Sequence, residues 1–314
     1  MSTSLEGSIN TKMTPKTLIT WIMATRPQFF TVIILPILLG TAIAWHSQGV
    51  FLPLYLSLSL LAGILTHAGI NVLNDYFDHQ NQTDDLNQTP LTPFAGGSRF
   101  IQKGILTANE TYYFGFLLLL MAVSIGLFLV WARGLPLLWI GLIGVLSGFC
   151  YSAPPFSFQS RGLGEVLVGL NFGVLAVLGA YYVQATDFSL TAVVAALPLS
   201  GLVAAILYIN EFPDYAADKQ AGKKTLVVRL KPTTARSLYL LLIGLSFIAI
   251  ILGVISNRLP LLSLISLFAL PLGLVAIKTL YACHDKPTAL IPAIKKTILL
   301  HTLVSVLLIL AFVI

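Results

Sequence analysis

Residues 71–85 read Asn-Val-Leu-Asn-Asp-Tyr-Phe-Asp-His-Gln-Asn-Gln-Thr-Asp-Asp and stand at the end of a long apolar run. They carry Asp75, Asp78, Asp84 and Asp85, four of the 12 acidic residues in the chain. Membrane proteins rarely place ionisable groups beside apolar segments unless the groups serve a function. A second acidic stretch, residues 210–218, reads Asn-Glu-Phe-Pro-Asp-Tyr-Ala-Ala-Asp and also ends an apolar run. Both clusters therefore indicate functional groups at the ends of membrane segments.

The composition indicates a polytopic membrane protein. Of 314 residues, 57% are hydrophobic and 10% charged, and the mean hydropathy is +0.89. A soluble domain carries about 25% charged residues. The net charge of +6 is explained by the positions of the basic residues in the membrane topology, so no nucleic-acid partner is expected. The first 16 residues form a polar tail without the features of a cleaved signal peptide.

Apolar runs long enough to cross a bilayer, about 20 residues each, occur about nine times. The predicted fold is therefore all-α: one transmembrane domain spanning residues 1–314, with Pro271 bending the eighth span. A short interfacial stretch near Thr17 precedes the first span. The predicted spans are Phe29–Trp45, Phe51–Phe77, Tyr112–Ala132, Leu135–Tyr151, Gly162–Gln184, Leu190–Phe212, Ser237–Ser256, Leu259–Ile277 and Thr297–Ile314.

Basic residues orient these spans, because Lys and Arg concentrate in cytoplasmic loops. With nine spans, the side that holds the N-terminus carries 16 of the 18 basic residues, and only Arg133 and Arg258 lie opposite. That side is predicted to be cytoplasmic, in a bacterial inner membrane. It also carries 11 of the 12 acidic residues, which the rule for basic residues does not explain. A cytoplasmic site built from carboxylates would explain it.

Helical spacing places polar residues of each cluster on one face, since residues four apart lie above one another. Asn210, Asp214 and Asp218 form one stripe, and Asn74 and Asp78 form another. Converging carboxylates repel one another unless they are protonated or bridged by metal. Mg²⁺ suits such oxygen ligands, because it is held by one or two carboxylates together with substrate phosphates.

Other polar residues extend the predicted site. His67 and Asn71 continue the first stripe into the membrane, either as packed polar residues or as substrate contacts. Asn171 in the fifth span either lines the cavity or binds another helix. Residues 78–111 and 213–236 form two long connections, and long connections are usually functional. They carry basic residues placed to meet phosphate oxygens, namely Arg99, Lys103, Lys223 and Lys224.

Metal and cations at the mouth of a hydrocarbon bundle describe a site for a polyprenyl diphosphate. In its two Asp motifs and its nine predicted spans, the chain resembles the UbiA superfamily of intramembrane prenyltransferases. Within it, four stretches resemble the 1,4-dihydroxy-2-naphthoate polyprenyltransferases of menaquinone biosynthesis. These are Arg26-Pro27, Gly96-Gly97-Ser98-Arg99 with Lys103, residues 151–155 through 162–165, and residues 210–229.

The resemblance implies a role for each matching residue. Asn74, Asp75, Asp78 and Asp84 would form one Mg²⁺ site, and Asn210, Asp214 and Asp218 a second. Lys103 and Tyr151 would contact the diphosphate or stabilise charge at the reacting carbon, acting in catalysis with Asp78 and Asp214. Arg26 would meet the carboxylate of the acceptor. Gln82 stands where the superfamily motif commonly has Asp, so either Asp84 or Asp85 could serve the metal.

The resemblance also implies the fold and the reaction. Nine helices would surround a central cavity beneath two cytoplasmic cap loops. Mg²⁺ would assist departure of diphosphate, and an aromatic acceptor would take the prenyl group. With dihydroxynaphthoate the carboxylate is lost as CO₂, giving demethylmenaquinone. Two alternatives stay open: another acceptor, such as 4-hydroxybenzoate or homogentisate, and a transporter with a cation site. A transporter usually places its charges near the midplane, whereas here they gather at one face.

Overall fold

The computed structural model describes residues 16–314, and every regular element in that range is helical, as the all-α prediction requires. Lys12, which contributes to the predicted topology, and the polar tail before Lys16 lie outside the described residues. Near Thr17, where an interfacial stretch was predicted, the structure has a separate short helix whose N-terminus is capped by the Thr17 side chain. The chain then turns at Arg26 before the first long helix begins.

Thirteen α-helices follow one another along residues 16–314, with short 3₁₀ turns and one π-helical segment between them. The 3₁₀ segments are Pro27–Phe29, Phe158–Arg161, Leu261–Ala269 and Pro287–Leu290, and the π-helical segment is Gly169–Leu175. The helices are α1 (Leu18–Ala24), α2 (Thr31–Gln48), α3 (Pro53–Gln80), α4 (Thr83–Leu86), α5 (Ala108–Arg133), α6 (Pro136–Ser152), α7 (Gly164–Val168), α8 (Ala176–Ala185), α9 (Leu190–Gln220), α10 (Leu226–Leu230), α11 (Pro232–Ile255), α12 (Leu270–Cys283) and α13 (Ile291–Val313).

Eight helical segments among residues 16–314 are long and apolar enough to cross a membrane. The chain is therefore a multi-pass membrane protein. Seven predicted spans fall on α2, α3, α5, α9, α11, α12 and α13, and the fifth falls on α7, the π-helical segment and α8 together. The fourth predicted span is α6, which is apolar but has only 17 residues. Pro271 lies where the 3₁₀ segment passes into α12.

The structure corrects the predicted start of the second long connection. The apolar run of the sixth span was expected to end at Phe212, with the connection beginning at Pro213. Instead α9 continues through Pro213 to Gln220. The helix also accommodates Pro198 in its interior. Because the helix continues, Asn210, Asp214 and Asp218 lie on successive turns of one rigid element.

Local capping fixes where the first long connection ends. The Thr107 hydroxyl accepts a hydrogen bond from the Glu110 backbone N–H at 3.2 Å, and Glu110 accepts one from the Thr107 backbone N–H at 2.9 Å. This reciprocal capping box satisfies two N–H groups that the first turn of α5 would leave unpaired. Glu110 also pairs with Lys16, which joins the start of the described chain to α5.

The spans divide into those that surround a cavity and those that support them. Side chains from α2, α3, α5, α6, the α7–α8 span and α9 line one cavity. In the described part of the chain, α11, α12 and α13 contribute nothing to this lining. They pack behind α9 and α2 in the main apolar core, which buries Tyr208 and Tyr239 completely. The best-buried helix, α9, therefore holds the cavity against the rest of the bundle.

Candidate functional site

The cavity has a volume of about 550 Å³ and runs almost the length of the bundle. Its polar end lies between the C-terminal turns of α3 and α9, beneath the connection that follows α3. Its other end is hydrocarbon, with Leu129 and Leu137 among the lining residues. The arrangement suits a ligand with an anionic head and a long apolar tail.

Both acidic stripes face this one cavity. The polar residues predicted for the site that line it are Arg26, His67, Asn71, Asn74, Asp78, Asp84, Tyr151, Asn171, Asn210, Asp214, Asp218 and Lys223. Since α3 and α9 are far apart in sequence, the two stripes come together only when the chain folds.

Lys223 joins the two stripes directly. Its ammonium nitrogen lies 2.9 Å from Asp78 Oδ1 and 3.9 Å from Asp218 Oδ1. Burial tends to lower the pKa of Lys223, but the carboxylates of Asp78 and Asp218 outweigh it and raise that pKa. The lysine is therefore a fixed positive charge at the polar end of the cavity. Gln159 also donates to Asp78, at 2.9 Å.

The connection after α3 covers the second stripe. Asn87 Nδ2 donates to Asp214 Oδ1 at 2.9 Å, and the Gly96 backbone N–H donates to Asp214 Oδ2 at 3.0 Å. This connection therefore closes the polar end of the cavity from above. The predicted cap has a physical basis in these two hydrogen bonds.

The structure separates Asp84 from Asp85. Asp84 is 4% exposed and lines the cavity. Asp85 is exposed and lies 2.9 Å from His79 Nδ1, outside the cavity. The short helix α4 turns successive residues by about 100°, so only one of the two carboxylates points inward. Asp84 is therefore the better candidate for the metal.

The polar end offers oxygen ligands of the kind that a divalent cation takes, although among residues 16–314 no three acidic, His or Cys side chains converge closely enough to hold a metal by themselves. Asp84 Oδ2 and Asn210 Oδ1 are buried, and among residues 16–314 neither has a hydrogen-bond partner. Burial, followed by the charges of Asp78 and Asp75, raises the pKa of Asp84 to about 8. Arg26 and Lys223 act in the opposite direction but do not compensate. Unpartnered oxygens in an excess of carboxylate match the ligands that Mg²⁺ prefers.

Asp75 occupies a different position from its neighbours in the motif. Within the described range it does not line the cavity. Its carboxylate pairs with the Arg26 guanidinium and accepts the Ser98 backbone N–H, 3.3 Å from each oxygen. The structure thus places Asp75 beside the cavity wall, whereas Asn74 and Asp78 face the interior.

Three basic residues predicted to meet phosphate do not line the cavity in the described part of the chain. Arg99 instead donates to the Asp84 backbone carbonyl and so holds the turn that presents Asp84. Lys103 and Lys224 are exposed. Of the four basic residues predicted from the two connections, the structure brings Lys223 to the cavity.

The polar residues deeper in the cavity have distinct surroundings. His67 packs between Phe30 and Phe172, with ring centroids 5.8 Å and 4.8 Å away. Its Nδ1 has no hydrogen-bond partner among residues 16–314. Asn71 donates to the Thr25 carbonyl at 3.1 Å. Asn171 exchanges hydrogen bonds with Ser147 and donates to the Leu167 carbonyl, so it joins helices and also lines the cavity.

Sequence reasoning missed several polar residues that the fold brings to the site. Gln159 and Asn87 contact the aspartates, and Glu211 lines the cavity and accepts the Val227 backbone N–H at 3.2 Å. Glu211 lies beside Asn210 in the second cluster, which was a usable signal. Gln159 and Asn87 are ordinary loop residues by type and spacing, and neither offered such a signal.

The comparisons with known proteins agree with one another. The model of the UbiA prenyltransferase family matches residues 33–312. A Synechocystis protein named 2-carboxy-1,4-naphthoquinone phytyltransferase is 28% identical over 87% of this chain and 86% of its own length. A Haemophilus influenzae protein named 1,4-dihydroxy-2-naphthoate octaprenyltransferase is 28% identical over 94% of this chain and 96% of its own. A UbiA homologue from Archaeoglobus fulgidus, solved with DMAPP and Mg²⁺, shares the fold with a TM-score of 0.65, at 17% identity over 92% of this chain and 98% of that one.

Proposed function

The chain belongs to the UbiA prenyltransferase family, and we propose that it transfers a polyprenyl group from a polyprenyl diphosphate to 1,4-dihydroxy-2-naphthoate. The observation that carries the proposal is the cavity, whose polar end holds both oxygen-rich stripes and whose remainder is mostly apolar. The diphosphate would lie between the stripes, and the prenyl tail would fill the apolar part.

The cofactor that this site would hold is Mg²⁺. Asn74, Asp78 and Asp84 would bind it from one side of the cavity, and the stripe of α9 (Asn210, Asp214 and Asp218) from the other. When bound, Mg²⁺ neutralises charge on the departing diphosphate and so favours cleavage of the carbon–oxygen bond. The unpartnered oxygens of Asp84 and Asn210 support this assignment.

The protein's own cation completes the diphosphate site. Lys223 is buried at the cavity and can donate charge-assisted hydrogen bonds to phosphate oxygens. Tyr151 lines the same cavity, and its hydroxyl is proposed to stabilise charge near the reacting carbon. The apolar lining and the connection above Asp214 limit access of water, which would otherwise capture the allylic cation.

The reaction balances without an added oxidant. The carbon–oxygen bond of the prenyl diphosphate breaks, and diphosphate leaves with the electron pair. The electron-rich ring then forms a bond to the allylic carbon. The ring loses its carboxylate as CO₂, so the immediate product is the quinol form of demethylmenaquinone.

The acceptor is proposed from two supporting observations. Relatives at 28% identity carry names that include a naphthoate or naphthoquinone substrate. Arg26 lines the cavity and can meet a carboxylate there. Both 4-hydroxybenzoate and homogentisate also carry a carboxylate, so they are the competing acceptors that the assay must include.

The placement in the cell follows from the charge distribution. We propose that residues 1–314 act as one prenyltransferase domain in a bacterial inner membrane. The N-terminus and the polar end of the cavity would face the cytoplasm, because that side carries 16 of the 18 basic residues. Protease accessibility of the 81–107 connection in sealed inverted vesicles tests this orientation.

The decisive experiment supplies purified protein with Mg²⁺, a polyprenyl diphosphate and a panel of aromatic acceptors, with products identified by mass spectrometry. Prenylated dihydroxynaphthoate, lost on adding EDTA, is the expected result. Asp78→Ala should insert normally and give no product. Absence of a prenylated product with every acceptor would refute the proposal, and cation flux into liposomes under the same conditions would favour a transporter.

A further inference from the structure

Asp75 belongs to the acidic motif by sequence but not by its surroundings. It is 4% exposed, and among the residues that the structure describes it contributes nothing to the cavity lining. Asn74, the preceding residue, and Asp78, three residues further along α3, both line the cavity. A ligand bound between the stripes would therefore meet these two side chains but not Asp75.

The contacts of Asp75 already use its charge. The carboxylate pairs with the Arg26 guanidinium and accepts the Ser98 backbone N–H. Gly97 permits this approach, because a Cβ on it would lie 3.2 Å from Asp75 Oδ1 and 2.5 Å from Asp84 Oδ2. Gly97 also has φ +76°, which disfavours other residues. A carboxylate held in this way has less capacity left for a cation than Asp84, whose Oδ2 has no partner within residues 16–314.

Arg26 is held through one nitrogen of its guanidinium, while another nitrogen has no hydrogen-bond partner among the described residues. Nη2 contacts Asp75 and lies 3.4 Å from Asn74 Oδ1. Nε is buried and has no hydrogen-bond partner among the described residues. The side chain also lines the cavity, so it can offer a donor to a carboxylate there. Asp75 fixes the direction of that donor, since a guanidinium is planar and rigid.

We propose that Asp75 is a positioning residue rather than a metal ligand. It holds Arg26 against the cavity wall and ties residues 96–99 to the end of α3. Its effect on the reaction passes through Arg26 to the carboxylate of the aromatic acceptor. The inference rests on the proposed function for the identity of that carboxylate, but the division between positioning and metal binding does not depend on turnover.

The first test measures metal binding alone. Purified protein with inorganic pyrophosphate is titrated with Mn²⁺, and free Mn²⁺ is followed by electron paramagnetic resonance. Asp75→Asn should weaken Mn²⁺ binding by about tenfold at most, because it removes a nearby charge but no ligand. The reference variant Asp84→Asn should bind it about 100-fold more weakly. Loss of Mn²⁺ affinity in Asp75→Asn as large as that in Asp84→Asn would overturn the proposal.

The second test measures acceptor recognition. Asp75→Asn and Arg26→Gln should each raise the KM or the dissociation constant for dihydroxynaphthoate by about tenfold or more. This is the range expected for the loss of a charge-assisted hydrogen bond. The KM for the polyprenyl diphosphate should stay within about threefold. The double variant should be no worse than Arg26→Gln, because Asp75 acts through Arg26.

The outcomes separate this inference from the proposed function. The inference would be overturned if either single variant left the KM or dissociation constant for the acceptor unchanged. It would also be overturned if the two substitutions had additive effects on that constant in the double variant. If Asp75→Asn does not fold, Asp75→Glu replaces it: the longer side chain displaces Arg26 but keeps the charge, so the KM or dissociation constant for the acceptor should rise while Mn²⁺ affinity stays far above that of Asp84→Asn, and the reverse pattern would overturn the proposal. A protein that transfers no prenyl group would refute the proposed function, while Mn²⁺ and acceptor binding would still decide the role of Asp75.

Discussion

Asp84→Asn and Asp85→Asn form a matched pair that tests the metal assignment most directly. The two residues are adjacent and chemically identical, and each variant removes one negative charge while keeping the shape. Asp84 lines the cavity with an oxygen that has no partner among residues 16–314. Asp85 is exposed and pairs with His79. We expect the first substitution to weaken Mg²⁺ binding and the second to leave it unchanged.

The size of the effect follows from the charge and burial of Asp84. At about 4 Å and an effective dielectric constant of about 20, a carboxylate attracts each unit of cation charge by about 4 kcal/mol. The Asp84 pKa of about 8 means that ionising it at neutral pH costs about 1 kcal/mol. The difference is about 3 kcal/mol, which corresponds to about 100-fold in affinity. Asp84 meets about one unit of the cation charge, because the other ligands and the diphosphate share the rest.

The assay is the Mg²⁺ concentration at half-maximal prenyl transfer, together with Mn²⁺ binding in the presence of inorganic pyrophosphate. Asp84→Asn should shift both by about 100-fold, and Asp85→Asn should shift neither. Circular dichroism and gel filtration in detergent check that both variants fold. An Asp84→Asn protein with normal metal dependence, or equal losses in the two variants, would refute the reasoning.

Three other predictions follow from the same cavity. Asp214→Ala should abolish turnover, by more than about 1,000-fold, while the protein still inserts; near-normal activity would contradict its place in the site. Lys223→Gln removes the cation between the stripes and should lower kcat by about 100-fold, whereas exposed Lys224→Gln should not, and equal losses would contradict the assignment. Gly144 lines the cavity, and a Cβ there meets only Asn171 Oδ1 at 3.7 Å, so a phenyl group has room to enter the space that a long tail would fill. Gly144→Phe should therefore impair an octaprenyl donor more than a geranyl donor. Gly244→Phe, which also has open space but does not line the cavity, is the control, and equal loss with both donors would count against a tail in this region.

Hydropathy predicted the fold well because each span is a long apolar run that can be recognised from its own residues, without knowledge of its neighbours. Eight predicted spans correspond to segments able to cross a membrane. The fourth, α6, is short, and the boundary at Pro213 was wrong because packing within the bundle overrides the local preference of proline. Sequence alone also could not show that α11, α12 and α13 stand behind the cavity, since all nine runs are similarly apolar.

The site was predictable where helical spacing determines it. Asn210, Asp214 and Asp218 face the cavity because residues four apart share a helix face. Spacing could not distinguish Asp84 from Asp85, because both lie in a connection whose turn depends on Arg99 and on the α4 helix. Nor could it show that Asp75 points to Arg26.

The hydrogen bonds from Asn87 and Gly96 to Asp214 have a consequence for how the protein is made. They join residues 127 and 118 positions apart in sequence, with several membrane segments between them. While the ribosome is still synthesising the chain, the connection after α3 has no α9 against which to close. Its polar groups stay hydrated until α9 enters the bilayer, so the polar end of the cavity is completed late in biogenesis. We expect nascent chains arrested before residue 210 to leave this connection open to protease, and longer ones to protect it.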